Sequence, residues 1–209
     1  LSLHDALPIL AAGYELVIAG PKNISISGRF NLVGEHNLQN LLLAVALASD
    51  SGVSAKETEN AMSHLSGAPG RLEKVDCGQP FTVLVDYAHT PDALEQVLKS
   101  LRAQTKGQLV CVFGCGGDRD SGKRPLMGKV ASELADKVIV TSDNPRGELP
   151  AGIIQAVMNG VKQNAISIEN RAEAIDHAIK NAKVGDVILL AGKGHENYQE
   201  IAGVKYPFS

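Results

Sequence analysis

The sequence has 209 residues, 44% hydrophobic and 21% charged, with a formal net charge of −3 at pH 7. That composition suits a globular chain of one large or two modest domains and gives no electrostatic footprint for nucleic acid or an anionic membrane. No apolar run approaches the roughly 18–20 residues of a membrane-spanning helix. Three cysteines, Cys77, Cys111 and Cys115, form neither a C-x-x-C pair nor a disulfide framework, which points to a reducing cytoplasm.

Residues 1–9 (LSLHDALPI) resemble the conceptual translation of a sequencing adapter and lack the basic region and cleavage site of a signal peptide. They are expected to stay outside native packing; the alternative is a native strand at a sheet edge. The absence of an initiator Met, and an end at Pro207-Phe208-Ser209 with no terminal helix, are read as marks of a longer protein. Short strands are expected at residues 14–18 and 24–26 around the Gly20-Pro21 turn. A long apolar helix is expected over residues 38–49 with Asn37 as its N-cap, or with the Asn37 amide reading a base edge. A second helix is expected over 55–65. Residues 66–70 (SGAPG) form the best linker in the chain, so the domains are drawn as 10–69 and 70–209.

Beyond the linker the pattern becomes regular. Residues 81–85 are read as a strand, followed by Asp86, Tyr87, Ala88 and His89. Thr90-Pro91-Asp92 supplies an N-cap, a proline at the first helical position and an acid in the first turn. Leu94, Val97, Leu98 and Leu101 then repeat at helical spacing. Further strands are read at 109–113, 137–141, 165–168 and 187–191, and helices at 125–134, about 151–160 and after Asn170. The alternation predicts an α/β fold: a Rossmann-like, mostly parallel sheet with helices on both faces.

The strand at 109–113 runs into Gly114-Cys115-Gly116-Gly117-Asp118-Arg119-Asp120 and then Lys123-Arg124. A strand, a glycine-rich loop and a helix can bring backbone N–H groups to an anion, and Lys or Arg supplies its cationic partner. Gly117 to Lys123 satisfies G-x-x-x-x-G-K, but Arg124 follows where a P-loop needs Ser or Thr for Mg²⁺. The third glycine of a dinucleotide fingerprint is replaced by Arg119.

Four polar clusters, 86–89, 114–124, 143–146 and 192–196, each directly follow a strand and therefore gather at the carboxyl edge of one sheet, where open α/β folds bind ligands. The loops at the other edge, 105–107 and 183–185, carry no comparable set. That asymmetry is the bottom-up evidence for a site.

At these loops the sequence resembles the Mur ligases, within them the diaminopimelate-adding type. The resemblance rests on D-Y-A-H-T-P at 86–91, F-G-C-G-G-D-R-D at 113–120, D-N-P-R at 143–146 and G-K-G-H-E at 192–196. Residues 34–40 resemble the end of that family's central ATPase domain, and P-G-R-L-E at 69–73 the entry to its carboxy-terminal domain, here without its last helix.

The resemblance implies an ATP- and Mg²⁺-dependent ligase of peptidoglycan synthesis. ATP would phosphorylate the D-glutamate carboxylate of UDP-MurNAc-L-Ala-D-Glu, and the amine of meso-diaminopimelate would attack the acyl phosphate. It further implies that Arg119, Asp143, Asn144, Pro145, Arg146, Gly192 and Glu196 bind diaminopimelate. Arg146 and Arg119 would take the distal carboxylate; Glu196, Asn144 and the Gly192 carbonyl would take the distal ammonium. For ATP it implies Asn37, Asn40, Arg71, Asp86, His89 and Lys123. No catalytic residue and no metal ligand is assigned within these 209 residues, and the chain alone is expected to be inert. A relative adding lysine or glutamate, such as a folylpolyglutamate synthetase, and a non-catalytic nucleotide-binding module remain as alternatives.

Overall fold

The computed structural model describes residues 2–8, 14–20 and 25–208. The chain divides into two compact units, Leu1–Ala68 and Pro69–Ser209. The division falls inside the 66–70 stretch. Leu1, Ile9, Leu10, Pro21, Ile24 and Ser209 lie outside the described residues.

In the first unit, β1 (Ser2–Pro8), β2 (Tyr14–Ala19) and β3 (Ser25–Phe30) form an antiparallel sheet in that order. Tyr14, Leu16 and Ile18 alternate into the core, as a half-buried strand requires. There they join Ile26 and Phe30, Leu38, Leu41 and Val45 from α1 (Glu35–Asp50), and Met62 from α2 (Ala55–Met62). The adapter-like residues differ from expectation: Ser2–Pro8 pairs with β2, with a register break between Leu3 and Asp5. An edge strand needs only backbone donors and acceptors on one side, so a sequence of foreign appearance can occupy it.

Asn37 is not the N-cap of α1. The helix begins at Glu35 behind Gly34, whose φ of 101° no residue with a Cβ adopts readily. Asn37 sits in the first turn, and its Nδ2 donates to the Val33 carbonyl at 2.7 Å. The second helix is capped by Ser54, which accepts from Glu57 N–H while the Glu57 carboxylate accepts from Ser54 N–H.

The second unit carries a six-stranded sheet. Its strands are β4 (Glu73–Val75), β5 (Thr82–Asp86), β6 (Leu109–Phe113), β7 (Lys137–Val140), β8 (Ala165–Ser167) and β9 (Val187–Ala191), in the order β4-β5-β9-β6-β7-β8. Only β4 is antiparallel to its neighbour; β5, β9, β6, β7 and β8 all run parallel. The strand order reverses around β9, which places a crevice at the carboxyl ends of β5, β9 and β6.

The connecting helices are α3 (Pro91–Gln104), α4 (Lys123–Leu134), α5 (Pro150–Met158) and α6 (Arg171–Lys180). The α3, α4 and α5 helices pack side by side. Ala174 and Ala178 of α6 pack on Val83, Val110, Val112, Ile139 and Ile188. Leu109, Cys111 and Phe113 alternate to the other face and are fully buried. Parallel strands covered on both faces therefore read as unbroken apolar runs.

Three strands were not anticipated. The β4 strand is exposed along its length. A hairpin of β10 (Tyr198–Ile201) and β11 (Val204–Pro207) ends the chain. Its two-residue turn has positive φ at both Ala202 (49°) and Gly203 (77°), as a type I′ turn demands. The α4 helix also starts two residues earlier than expected, so Lys123 and Arg124 lie in its first turn and Pro125 follows within that turn, where proline is tolerated.

Candidate functional site

The loops after β5, β6, β7 and β9 all belong to the second unit and meet at the carboxyl edge of its sheet. The glycines of the β6 loop serve close packing on the β7 loop. A methyl group at Gly114 would come within 2.3 Å of the Thr141 carbonyl oxygen, and one at Gly117 within 1.9 Å of the Pro145 carbonyl oxygen. Gly117 N–H donates to the Asn144 carbonyl at 2.9 Å. The space expected for an anion beside these two glycines is filled by protein backbone.

Gly116 has a different neighbour. A methyl group there would lie 2.8 Å from Arg146 Nη1 and 3.9 Å from Arg119 Cγ. The loop thus has the Arg146 guanidinium and the stem of Arg119 as neighbours. Arg146 takes a left-handed backbone, φ 51°, and its Nη1 donates to the Gly117 carbonyl at 2.9 Å. Arg119 is exposed and donates to the Asp118 carbonyl. Arg124, read from the sequence as a cation beside the glycine-rich loop, is instead buried and forms a two-pronged pair with Glu148 at 2.7 and 2.9 Å. The Arg124 hydrogen bond, aided by one from Asp118 N–H, holds the Glu148 carboxyl below the usual carboxylate range.

On the other side lies an acidic and amide cluster centred on Lys193, whose side chain is 4% exposed. Its Nζ donates to Asn144 Oδ1 at 2.9 Å and to the Tyr198 carbonyl at 2.7 Å. It also lies 3.4 Å from Asp143 Oδ1 and 3.5 Å from Glu196 Oε2. Asn144 Nδ2 donates to Glu196 Oε2 at 2.8 Å, and Asn144 Oδ1 also accepts from Glu200 N–H. Every polar atom of the Asn144 side chain therefore has a protein partner. Its Oδ1, the atom expected to face an ammonium, accepts twice within the protein, from Lys193 and from Glu200 N–H. Asp143 is buried and faces Lys193, and a methyl group at Gly192 would meet Asp143 Oδ2 at 2.9 Å. Gly192 N–H continues the sheet pairing to the Asp86 carbonyl.

Below this cluster lies Arg171, at the start of α6. It is buried and donates Nη2 to the Ala191 carbonyl at 2.9 Å; Nε and Nη1 have no hydrogen-bond partner among the described residues. Burial lowers its pKa, against the opposing pull of Asp143.

The predicted nucleotide-side residues form a third group. Asp86 is buried and accepts from Leu72 N–H at 2.9 Å and Ala88 N–H at 2.8 Å, so its carboxylate ties the entry of the unit to the end of β5. That tie sets Arg71 over the Tyr87 ring, 4.8 Å from its centroid. His89 is exposed, with Nδ1 2.7 Å from the Tyr87 carbonyl oxygen and its ring 4.6 Å from that of Tyr87. Lys123 Nζ donates to the His89 carbonyl at 2.8 Å. Arg71, Asp86, His89 and Lys123 are thus gathered around one strand end. Asn37 and Asn40 lie on α1 of the first unit, one turn apart.

No group of three or more His, Cys, Asp or Glu side chains among the described residues could hold a metal ion. The Mg²⁺ implied by the resemblance finds no ligand set there, and no step is assigned to it. No helix among the described residues is long and apolar enough to cross a membrane.

Residue patterns alone missed Lys193 as a hub, and with it the β10–β11 hairpin. One signal was available: Tyr198–Ile201 and Val204–Pro207 flank Ala202-Gly203, a two-residue spacing ending in glycine that suits a hairpin.

Residues 70–194 match the family model described as Mur ligase, glutamate ligase domain. The chain is 49% identical over 179 residues to the UDP-N-acetylmuramoyl-L-alanyl-D-glutamate–2,6-diaminopimelate ligase of Syntrophomonas wolfei, covering 84% of this chain and 37% of that protein. It is 48% identical over 200 residues to the ligase of the same name from Pseudomonas aeruginosa, covering 95% of this chain and 41% of that protein. A solved structure of a ligase so named superposes with a TM-score of 0.76 at 41% identity, covering 99% of this chain and 42% of the other. The chain therefore spans well under half the length of these relatives.

Proposed function

Because the chain belongs to the Mur ligase family, through its glutamate ligase domain, we propose that its sheet-edge site binds meso-2,6-diaminopimelate. A complete ATP-dependent ligase would add that amino acid to UDP-MurNAc-L-Ala-D-Glu in peptidoglycan synthesis. The reading is carried by one observation: the Arg146 guanidinium and the stem of Arg119 both flank Gly116, beside a loop whose Asn144 is hydrogen-bonded to Glu196. Cationic side chains beside anionic ones suit a carbon that bears both a carboxylate and an ammonium.

Arg146 and Arg119 would receive the distal carboxylate, since a guanidinium fork matches a carboxylate edge. Glu196, with Asp143 behind it, would attract the distal ammonium, while Asn144, Lys193 and Pro145 hold the acceptor set in place. Arg71, His89 and Lys123 would face the ATP side, where phosphate charge needs cations. In the reaction, the activated glutamyl carbon exchanges its bond to the phosphate oxygen for a bond to nitrogen; phosphate leaves and the amine loses a proton. This chain's part is to hold the amine in line with that carbon. The sequence contains no G-x-x-x-x-G-K-[ST] loop, so the chain alone should bind without turning over.

Lysine lacks the distal carboxylate and would leave two guanidinium groups unmatched. Sites built to pair a polar group reject analogues lacking it by roughly 10⁴-fold. Calorimetric titration of the 209-residue chain with meso-diaminopimelate and with L-lysine tests the reading. Binding of the first alone is expected; equal binding of both, or of neither, overturns it.

A further inference from the structure

We propose that Glu200 is the positioning residue for Arg146, holding the guanidinium by its Nε edge so that its outer edge meets the distal carboxylate of the bound amino acid. The inference rests on the amino-acid reading above and adds a residue from an element that reading does not use.

The β10–β11 hairpin is fastened to the β7 loop at several points. Gln199 Nε2 donates to the Asp143 carbonyl at 2.6 Å and to Ser142 Oγ at 3.1 Å. Glu200 N–H donates to Asn144 Oδ1 at 2.9 Å. Arg146 N–H donates to the Glu200 carbonyl at 3.0 Å, and Ala202 N–H donates to the Arg146 carbonyl at 2.7 Å. Arg146 is thus bridged in parallel to Ile201 like a residue of a further strand. These bonds fix the Glu200 backbone beside Arg146 before any ligand arrives.

The side chains then pair, with Arg146 Nε 3.2 Å from Glu200 Oε2. Nη1 is committed to the Gly117 carbonyl, and Nη2 donates no hydrogen bond among the described residues. Glu200 approaches through Nε, and the Nη1–Nη2 edge is the one that would face a newcomer. Neighbouring carboxylates are engaged elsewhere: Asp118 accepts from Gly147 N–H, and Glu148 pairs with Arg124. Both partners are partly exposed, at 21% and 26%, so the pair is not sealed in the interior.

Ordering one long side chain on binding costs a few-fold to about tenfold in affinity; a support in place before binding removes that cost. The 209-residue chain and its Glu200→Ala, Glu200→Gln, Arg146→Ala and Glu200→Ala/Arg146→Ala variants should be titrated calorimetrically with meso-diaminopimelate and L-lysine. Glu200→Ala is expected to weaken diaminopimelate about tenfold and leave lysine unchanged. Glu200→Gln, which keeps an oxygen for Nε, should recover most of the loss. In the Arg146→Ala background Glu200→Ala should cost nothing further, because the residue acts only through Arg146. Wild-type selectivity in Glu200→Ala, tighter binding in it, or an equal loss with and without Arg146 overturns the inference alone. A wild-type chain that fails to prefer diaminopimelate over lysine overturns the amino-acid reading and this inference together.

Discussion

The Lys193 ammonium points inward and donates to the side-chain carbonyl of Asn144 at 2.9 Å, with the Asp143 and Glu196 carboxylates at 3.4 and 3.5 Å. It is the cation that lets two acids share a largely dry corner. Lys193→Met should therefore cost about 3–5 kcal/mol, the range for removing one partner of a buried charge set. Lys193→Arg should not restore it, because a planar fork cannot copy the acceptor geometry of an ammonium. Urea unfolding measures both; a loss below about 1 kcal/mol in Lys193→Met would show that the acids re-pair without it.

Packing of the β6 loop on the β7 loop predicts opposite outcomes at two glycines. Gly117→Ala places a methyl group 1.9 Å from the Pro145 carbonyl oxygen. It should destabilise by about 1–3 kcal/mol and disturb the adjacent Asn144. Gly152, in α5, has nothing within 4 Å of an added Cβ. Gly152→Ala should stabilise by about 0.4–1 kcal/mol through the unfolded chain. Thermal melts of the two variants should move in opposite directions.

The Arg124–Glu148 pair predicts acid sensitivity. Glu148 has its folded-state pKa depressed, chiefly by the Arg124 hydrogen bond. Its contribution is present above the ordinary carboxylate pKa and fades as pH falls through the lower folded value. Glu148→Gln should therefore lower the urea midpoint at pH 7, and the gap to wild type should narrow below about pH 4. An equal gap at both pH values would show that the carboxylate charge plays no part.

Thiol labelling reads the burial of the β6 strand and its loop. Burial pushes the Cys111 thiol up to about 12 and the Cys115 thiol up to about 11, whereas Cys77 is exposed. Iodoacetamide at pH 8 reacts with thiolates, so the native chain should take one label and the denatured chain three. A second label on the native chain would place the β6 loop in rapid exchange with an open state.

The parallel strands were legible because burial on both faces leaves a run such as Leu109–Phe113 with nowhere to place a polar residue. Thr90 was legible as a cap, and it accepts a hydrogen bond from the first turn of its helix; Asn170, after which a helix was expected, does the same. Asn37 misled because its residue type suits an N-cap, while the positive φ of Gly34 decides where the helix starts. Within the site, the residue types at 143–146 and 192–196 could be read, but not their partners. That Asn144 is held by Lys193 and Glu196 depends on the loop after β9, and its bond from Glu200 on a hairpin that reaches back to the β7 loop. Exposed strands such as β4 and β11 carry little hydrophobic signal, since water tolerates almost any side chain there.

The position of β9 between β5 and β6 has a consequence for the order of assembly. β5 touches the remaining parallel strands only through β9, pairing Thr82 with Val187 while β6 pairs Leu109 with the same residue. A nascent chain ending before Val187 holds two separate ribbons, β4-β5 and β6-β7-β8, with no shared hydrogen bonds between them. Such long-range closure is slow because the loop entropy is spent before the contacts return it. The strand that locks the ribbons together is also the strand that delivers Lys193 and Glu196, so the cluster around Lys193 comes into being at the moment the sheet becomes continuous.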